Sequence, residues 1–180
     1  SRDDWRRFDA GVIPSKATTP HLDAFLAAVR EAAVPGAALS LLDVGCGTGR
    51  IGARIHEHGF SVLGVDVNPE AVRIASALVP SENPPGRFLR FEVADMASEI
   101  PPRLAGAPFD AVVCQLVLSI IGDAANRRNL LGHVHRLLRP GGWLHLSASG
   151  VSDTINDGYA RLYAEDLSLT GRSEEHTSEL

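Results

Sequence analysis

Three acidic residues and a cluster of glycines stand where short apolar runs of the sequence end. The first run leads into the segment 43–49, Asp-Val-Gly-Cys-Gly-Thr-Gly, and two later runs end at Asp66 and Asp95. Glycines allow a tight turn that brings main-chain atoms close to a ligand. Carboxylates suit a ligand that is cationic or rich in hydroxyl groups, and they repel one rich in phosphate. These residues therefore favour a site for a cationic or hydroxyl-bearing ligand over a site for ATP.

The elements that must position these residues alternate between strand and helix. Strands are indicated by short, nearly continuous apolar runs, and helices by apolar residues at helical spacing. Such alternation predicts a parallel sheet with right-handed crossovers, which binds its ligand beyond the carboxyl ends of the strands. The predicted elements are helix 20–33, strand 39–44, helix 49–58, strand 61–66, a helix capped by Asn68, strand 87–94, strand 109–114, a helix capped by Asp123 and stopped at 140–142, strand 143–148 and helix 157–167.

The spacing of the glycines distinguishes two kinds of nucleotide-binding loop. A dinucleotide-binding loop needs a third small residue at the position that Arg50 occupies here. The glycines instead stand at 45, 47 and 49, and the first of them follows the acidic Asp43 by two positions. This pattern resembles the first motif of class I S-adenosylmethionine-dependent methyltransferases, which is an acidic residue, one spacer and G-x-G-x-G. The resemblance extends over 39–148 and includes the Leu-Leu-Arg-Pro-Gly-Gly stretch at 137–142.

The resemblance implies that S-adenosylmethionine is the cofactor and assigns roles to the strand ends. Asp43 would face the cationic ammonium group of the cofactor, Asp66 would accept hydrogen bonds from its ribose hydroxyls, and Asp95 would accept one from its adenine amino group. Val67 and Met96 would flank the adenine ring. The predicted cofactor-binding residues are Asp43, Gly45, Cys46, Gly47, Gly49, Asp66, Val67, Asp95, Met96 and Gln115.

The resemblance also implies the fold, which is an α/β, doubly wound, Rossmann-like, mostly parallel sheet. Five strands would be present in the order 3-2-1-4-5, and the last two strands of the seven-stranded family sheet would be missing. We expect one incomplete domain at 1–171, with a cap and helix at 1–38 and a cofactor-binding core at 39–148. Residues 172–180 resemble a translated sequencing adapter, and we expect them to be a non-native tail.

The expected reaction is transfer of a methyl group to a small-molecule acceptor by in-line displacement. Such a reaction needs alignment and exclusion of water, so no catalytic residue and no metal site are assigned. The segment 115–118 lacks the Asn/Asp-Pro-Pro-aromatic pattern found where amino groups of DNA bases are methylated. Two alternatives stay open. One is an NAD(P)-dependent oxidoreductase domain, against which Arg50 argues, and the other is a non-catalytic module that keeps the cofactor-binding fold.

Composition restricts the partners and the location. The formal net charge is −5, which gives no support for a nucleic-acid partner. The longest apolar stretch, 111–121, is interrupted by polar residues and is shorter than the roughly 18 residues that a membrane span requires. The two cysteines form no disulfide or zinc framework, which favours a reducing cytoplasm. Sixteen of the 17 basic residues are Arg, which suggests a bacterial source. The oligomeric state is not indicated.

Several reactive or titratable side chains are expected to stay outside the chemistry. Cys46 and Cys114 are expected to be small buried thiols and not nucleophiles. His145 lies within a predicted strand and is expected to be structural. Solvated positions are expected for five residues of the helix after Asp123, which are Arg127, Arg128, His133, His135 and Arg136.

Overall fold

Five parallel strands form one sheet in a computed structural model that describes residues 19–106 and 108–148. The strand order is β3-β2-β1-β4-β5, which confirms the predicted order. The described elements are α1 (Thr19–Ala32), β1 (Ser40–Val44), α2 (Arg50–Glu57), β2 (Ser61–Asp66), α3 (Pro69–Ser76), β3 (Leu89–Val93), a 3-10 helix (Pro102–Leu104), β4 (Phe109–Gln115), α4 (Val117–Ile120), α5 (Ala124–Leu137) and β5 (Leu138–Ser147).

Two apolar cores cover the two faces of the sheet, as a doubly wound fold requires. On one face, Leu22 and Leu26 of α1 and Ile55 of α2 pack on strand residues such as Val62 and Val113. On the other face, residues of α5 pack on the alternate strand positions, Leu42, Val44, Val65, Val112 and Cys114. The three central strands, β1, β2 and β4, are therefore buried on both sides, which explains why they read as continuous apolar runs.

The helix caps follow the predictions made from the sequence. The side chain of Asn68 accepts hydrogen bonds from the N–H groups of Glu70 and Ala71, and Pro69 begins α3. The side chain of Asp123 accepts a hydrogen bond from the N–H of Asn126 at the start of α5. Both caps satisfy N–H groups that have no partner inside the helix, so they fix where α3 and α5 begin.

The fifth strand is longer than predicted. It begins at Leu138 directly after α5, and not at Trp143. Leu138 pairs with Phe109, the register shifts between Phe109 and Ala111, and Arg139 forms an ion pair with Asp110 at 2.9 Å. These contacts hold the Leu-Arg-Pro-Gly-Gly segment as strand, and its proline is tolerated because β5 lies at the edge of the described sheet.

Some sequence predictions fall beyond these residues. The helix predicted at 157–167 and the non-native tail predicted at 172–180 lie outside the described residues. The two further strands that the resemblance implies have no counterpart within 19–106 and 108–148.

Candidate active site

A cavity of about 260 Å³ opens at the carboxyl ends of the strands, where a doubly wound sheet binds its ligand. Its wall is formed by the glycine loop after β1, the end of β2, α3, the loop after β3, and the segment 115–121 with part of α5. Six of the ten predicted cofactor-binding residues line it, namely Gly45, Gly47, Asp66, Val67, Met96 and Gln115. The other four, Asp43, Cys46, Gly49 and Asp95, lie behind or beside this wall.

The glycine loop needs its glycines for two separate reasons. Gly45, Gly47 and Gly49 have φ angles of 70°, 51° and 82°, in the left-handed region that other residues enter at a cost. The space beside Gly45 is already filled by Val117, whose Cγ2 would overlap with an added Cβ. A Cβ on Gly49 would lie 2.7 Å from the Cβ of Ala75. The loop is thus both strongly bent and closely packed.

Asp66 holds this loop through its side chain. Its Oδ2 accepts a hydrogen bond from the N–H of Gly47 at 2.8 Å, and its Oδ1 accepts one from the N–H of Asn68 at 2.9 Å. The main chain adds further support, because the N–H groups of Gly45 and Cys46 both donate to the carbonyl of Val65. Each carboxylate oxygen has a second lone pair, so Asp66 can still accept hydrogen bonds from a ligand in the cavity.

Asp43 is a buried acid behind the loop. It is 2% exposed, and its Oδ2 has no hydrogen-bond partner in the described part of the chain. Burial raises the pKa of its carboxyl to about 7, the nearby carboxylate of Asp66 raises this pKa too, and the main-chain N–H of Gly52 opposes them only in part. Asp43 therefore contributes a negative charge that depends on pH and that a cation in the cavity would favour.

Asp95 arranges the turn after β3. Its Oδ1 accepts hydrogen bonds from the N–H groups of Ala97 and Ser98, and its Oδ2 accepts one from the hydroxyl of Ser98. The cavity wall is formed by its neighbours Ala94, Met96 and Ala97. Asp43, Asp66 and Asp95 thus stand at the ends of three adjacent strands, and among them Asp66 lines the cavity itself.

The segment after β4 contributes wall residues that were not among the predicted cofactor-binding residues. Leu116 has a φ of 62°, which is unusual for a residue with a side chain, and it turns the chain into the short helix α4. Leu116, Val117, Ile120 and Ile121 line the cavity. Only the apolar character of 116–121 pointed to burial, and nothing in the pattern indicated this turn.

Two residues of α5 that were expected to be solvated are buried. Arg127 is 5% exposed and donates hydrogen bonds to the carbonyls of Ile121 and Gly122, and His133 is 8% exposed. These two predictions were wrong because they rested on residue type. The spacing contained the signal, since Arg127 and His133 each lie three positions from the buried Leu130 and so share its side of the helix. Arg128, His135 and Arg136 are exposed, as expected.

Polar side chains of β4 and β5 meet on one face near the cavity. Gln115 pairs in register with Ser147, and His145 precedes Ser147 by two positions on the same face. The ring of His145 lies 5.2 Å from the ring of Phe25, and burial lowers its pKa, with His21 adding to the effect. Gln115 Nε2, His145 Nε2 and Ser147 Oγ have no hydrogen-bond partner in the described part of the chain.

Both cysteines are buried next to this site. Burial raises the pKa of the Cys114 thiol to about 12, and it raises the pKa of Cys46 further, with Asp43 and Asp66 adding to the effect. Neither is therefore a thiolate near neutral pH, in keeping with the expectation that neither is a nucleophile.

Within 19–106 and 108–148, no three His, Cys, Asp or Glu side chains are grouped as a metal ion would need. In the same ranges no helix is both long and apolar enough to cross a membrane.

The family and its relatives agree with this geometry. Residues 42–144 match the family model described as a methyltransferase domain. The thiol S-methyltransferase of Homo sapiens is 39% identical over 114 residues, which cover 63% of this chain and 44% of that protein. The ubiquinone biosynthesis O-methyltransferase of Leptothrix cholodnii is 30% identical over 111 residues, which cover 61% of this chain and 43% of that protein. The chain thus spans less than half the length of these relatives.

Solved structures show the same architecture. A S-adenosylmethionine-dependent methyltransferase of Methanosarcina mazei superposes with a TM-score of 0.64 at 30% identity, over 76% of this chain and 64% of that one. An amino pentose methyltransferase of Micromonospora echinaspora, solved with S-adenosylmethionine bound, gives a TM-score of 0.58 at 26% identity, over 77% of this chain and 52% of that one. With a family model matching more than half of its residues and a sheet of the same topology, the chain belongs to the methyltransferase domain family and has the class I S-adenosylmethionine-dependent methyltransferase fold.

Proposed function

We propose that the chain binds S-adenosylmethionine in this cavity and that the protein transfers the methyl group to a small-molecule acceptor. One observation carries the proposal. The glycine-rich loop after β1 lines the cavity, and the carboxylate of Asp66 both holds that loop by a hydrogen bond and borders the cavity. A cationic nucleoside needs this combination of close main-chain approach and negative charge.

The residues present fit this cofactor. Gly45 and Gly47 leave room for its methionine and ribose portions, and Asp66 retains lone pairs for the ribose hydroxyls. Met96 and Val67 offer apolar surface to the adenine ring. The buried Oδ2 of Asp43 has no hydrogen-bond partner in the described residues, so a nearby positive charge would offset part of the cost of its burial. When bound, S-adenosylmethionine supplies a methyl group on a sulfonium that is already activated towards a nucleophile.

The chain's own residues then have three tasks. Asp66 and the glycine loop orient the nucleoside, since their hydrogen bonds fix one loop shape before any ligand arrives. Val117, Ile120 and Leu130 form an apolar wall that excludes water. Gln115 borders the cavity where β4 ends, and its Nε2 has no hydrogen-bond partner in the described residues, which suits a polar ligand group at this position. No described side chain is assigned as a base.

A small molecule is the acceptor class that the sequence and the relatives support. The relatives are named as a thiol S-methyltransferase, an O-methyltransferase of ubiquinone biosynthesis and an amino pentose methyltransferase. The segment 115–118 lacks the pattern of DNA amino-methylating enzymes, and the charge of −5 does not favour nucleic acid. We further propose a bacterial, cytoplasmic enzyme whose domain comprises a cap at 1–38 and a cofactor-binding core at 39–148, on the grounds given by composition and motif order.

Arg50 argues against the alternative function, which is that of a nicotinamide-dependent oxidoreductase. This residue begins α2, where a dinucleotide-binding loop requires a small side chain beside the pyrophosphate. Calorimetry should therefore show that S-adenosylhomocysteine binds with micromolar affinity and that NAD⁺ does not. Binding of NAD⁺ in preference to S-adenosylhomocysteine would refute the proposal.

Turnover separates an enzyme from a non-catalytic binding module. The protein is incubated with S-adenosylmethionine carrying a labelled methyl group and with a thiol, a phenol and an amino sugar in parallel. An enzyme is expected to label one of these acceptors, and the Asp66→Ala variant is expected to label it far more slowly. Tight cofactor binding without labelling of any acceptor class would instead support the module.

A further inference from the structure

His133 joins α5 to the loop that follows β3. Its Nδ1 lies 2.8 Å from the main-chain carbonyl oxygen of Met96, 37 positions away in the sequence. A carbonyl oxygen can only accept a hydrogen bond, so Nδ1 carries the proton and donates it. The imidazole is 8% exposed, so solvent competes little for this hydrogen bond.

The loop held in this way forms one wall of the cavity. Ala94, Met96 and Ala97 all line the cavity, and Leu130, one turn before His133 on α5, lines it too. The side chain of Asp95 fixes the turn from within, through the N–H groups of Ala97 and Ser98. His133 therefore adds an outer constraint on the same few peptide groups.

Packing alone does not explain a histidine at this position. The neighbours on its side of α5, Leu130, Val134 and Leu137, are buried and apolar. An apolar side chain would continue this stripe without the cost of removing an imidazole from water. The hydrogen bond to Met96 is the feature that an apolar residue could not supply.

We propose that His133 is a positioning residue for the nucleoside end of the site. Through the Met96 carbonyl it fixes the main chain of 95–97 in the one arrangement that distinguishes adenine from other bases. This inference rests on the proposed function, because it takes the group beside Met96 to be the adenine ring. His133 touches neither cofactor nor acceptor in this role and acts through the loop.

The test compares two ligands that differ at the base alone. Calorimetry measures the Kd of S-adenosylhomocysteine and of S-inosylhomocysteine, in which an oxygen replaces the adenine amino group. The variant His133→Asn places an amide donor near the position of Nδ1, whereas His133→Gln places it near Nε2. His135→Gln, on the exposed side of α5, is the matched control.

The wild type, the His135→Gln control and His133→Asn are all expected to prefer the adenosyl ligand by the same ratio of Kd values. In His133→Gln this ratio should fall by about threefold to tenfold, the effect of losing one hydrogen bond. Thermal unfolding checks that each variant is folded. His133→Phe, which keeps a ring of similar size without a donor, replaces His133→Gln if the latter does not fold.

Three results would overturn the inference. The ratio in a folded His133→Gln could equal that of the wild type, it could fall equally in the Asn and Gln variants, or the wild type could bind both ligands equally well. In each of these cases S-adenosylhomocysteine still binds, so the proposed function stands. Failure of the wild type to bind S-adenosylhomocysteine at all would refute the proposed function, and this inference with it.

Discussion

The carboxylate of Asp66 accepts a hydrogen bond from the main-chain N–H of Gly47 at 2.8 Å, although the two residues are 19 positions apart. The other oxygen of the same carboxylate accepts one from the N–H of Asn68, at the start of α3. A side chain predicted to bind a ribose thus also holds the glycine loop and the turn into the next helix. Under the proposed function, loop shape and ligand binding would both depend on this one residue.

Replacing Asp66 with alanine should weaken both the fold and the site. Asp66→Ala leaves the N–H groups of Gly47 and Asn68 without their acceptor, and we expect the free energy of unfolding to fall by about 1–3 kcal/mol. Asp66→Asn keeps one oxygen that accepts, so its value should lie between those of the wild type and Asp66→Ala. Urea unfolding measures this, with the exposed Glu57→Ala as the control. Equal stability of Asp66→Ala and the control would show that the loop does not need this carboxylate.

Replacing Gly45 with alanine should destabilise the fold, partly through a clash with Val117 that a second substitution can relieve. Gly45→Ala has to adopt a φ of 70° and overlaps with Cγ2 of Val117, so it should lower the free energy of unfolding by about 1–3 kcal/mol. Val117→Ala removes the overlapping atom but not the strain of the φ angle. In a double-mutant cycle the combined change should therefore cost less than the sum of the two. Strict additivity would mean that Val117 does not restrict this position.

The burial of Asp43 should make part of the stability depend on pH. The pKa of its carboxyl is raised from 3.8 to about 7 in the folded protein, which therefore holds this proton more tightly than the unfolded chain does. The stabilisation that comes from this tighter proton binding is complete below pH 3.8 and is lost as the pH rises through about 7. Urea unfolding should show a smaller decrease in stability over this range for Asp43→Asn than for the wild type.

The affinity for a cationic ligand should also depend on whether Asp43 is protonated, but it should rise with pH where the stability falls. Ionised Asp43 attracts a positive charge, so the affinity for S-adenosylmethionine should increase as the pH rises through about 7. Calorimetry over this range checks the trend, and Asp43→Asn should show a weaker one. An affinity that changes with pH identically in both proteins would assign the effect to another group.

Removing the buried guanidinium of Arg127 should lower the free energy of unfolding far more than removing the exposed one of Arg128. Arg127→Ala removes the donor to the carbonyl of the buried Ile121, which also lines the cavity. We expect the free energy of unfolding to fall by about 1–3 kcal/mol. The exposed Arg128→Ala should change it by less than about 0.5 kcal/mol, measured in the same urea titration. Similar losses in both variants would contradict the structural role given to Arg127.

Local pattern was sufficient where the sheet and its helices determine each residue's environment. The strand at 61–66 and the caps at Asn68 and Asp123 were predicted correctly, because buried parallel strands and helix starts leave strong local signals. The arrangement of acids at three adjacent strand ends followed from the topology. The roles of the individual site residues remain predictions.

The structure differs from the sequence-based predictions where tertiary contacts override the local conformational preference of a residue. Leu138 joins β5 instead of α5 because it pairs with Phe109, and the Arg139 ion pair with Asp110 reinforces this. Leu116 adopts a left-handed conformation that its residue type disfavours, and Val117 then packs against Gly45. Arg127 and His133 are tolerated in buried positions because main-chain carbonyls of other segments accept hydrogen bonds from their side chains. Apart from Ile121, these partners are distant in sequence, so the contacts could not be read from spacing. For Arg127 and His133, the spacing indicated only that they lie on the buried side of α5.

The protonation of Cys46 and Cys114 has a practical consequence. The 180-residue chain contains two cysteines, and burial keeps both thiols from forming the thiolate that reacts with maleimides or iodoacetamide. A cysteine introduced at an exposed position such as Arg128 would then carry a fluorophore at a single place without prior removal of the native thiols. Ligand binding could be followed with such a probe, while unfolding would be reported by the late appearance of two further reactive groups.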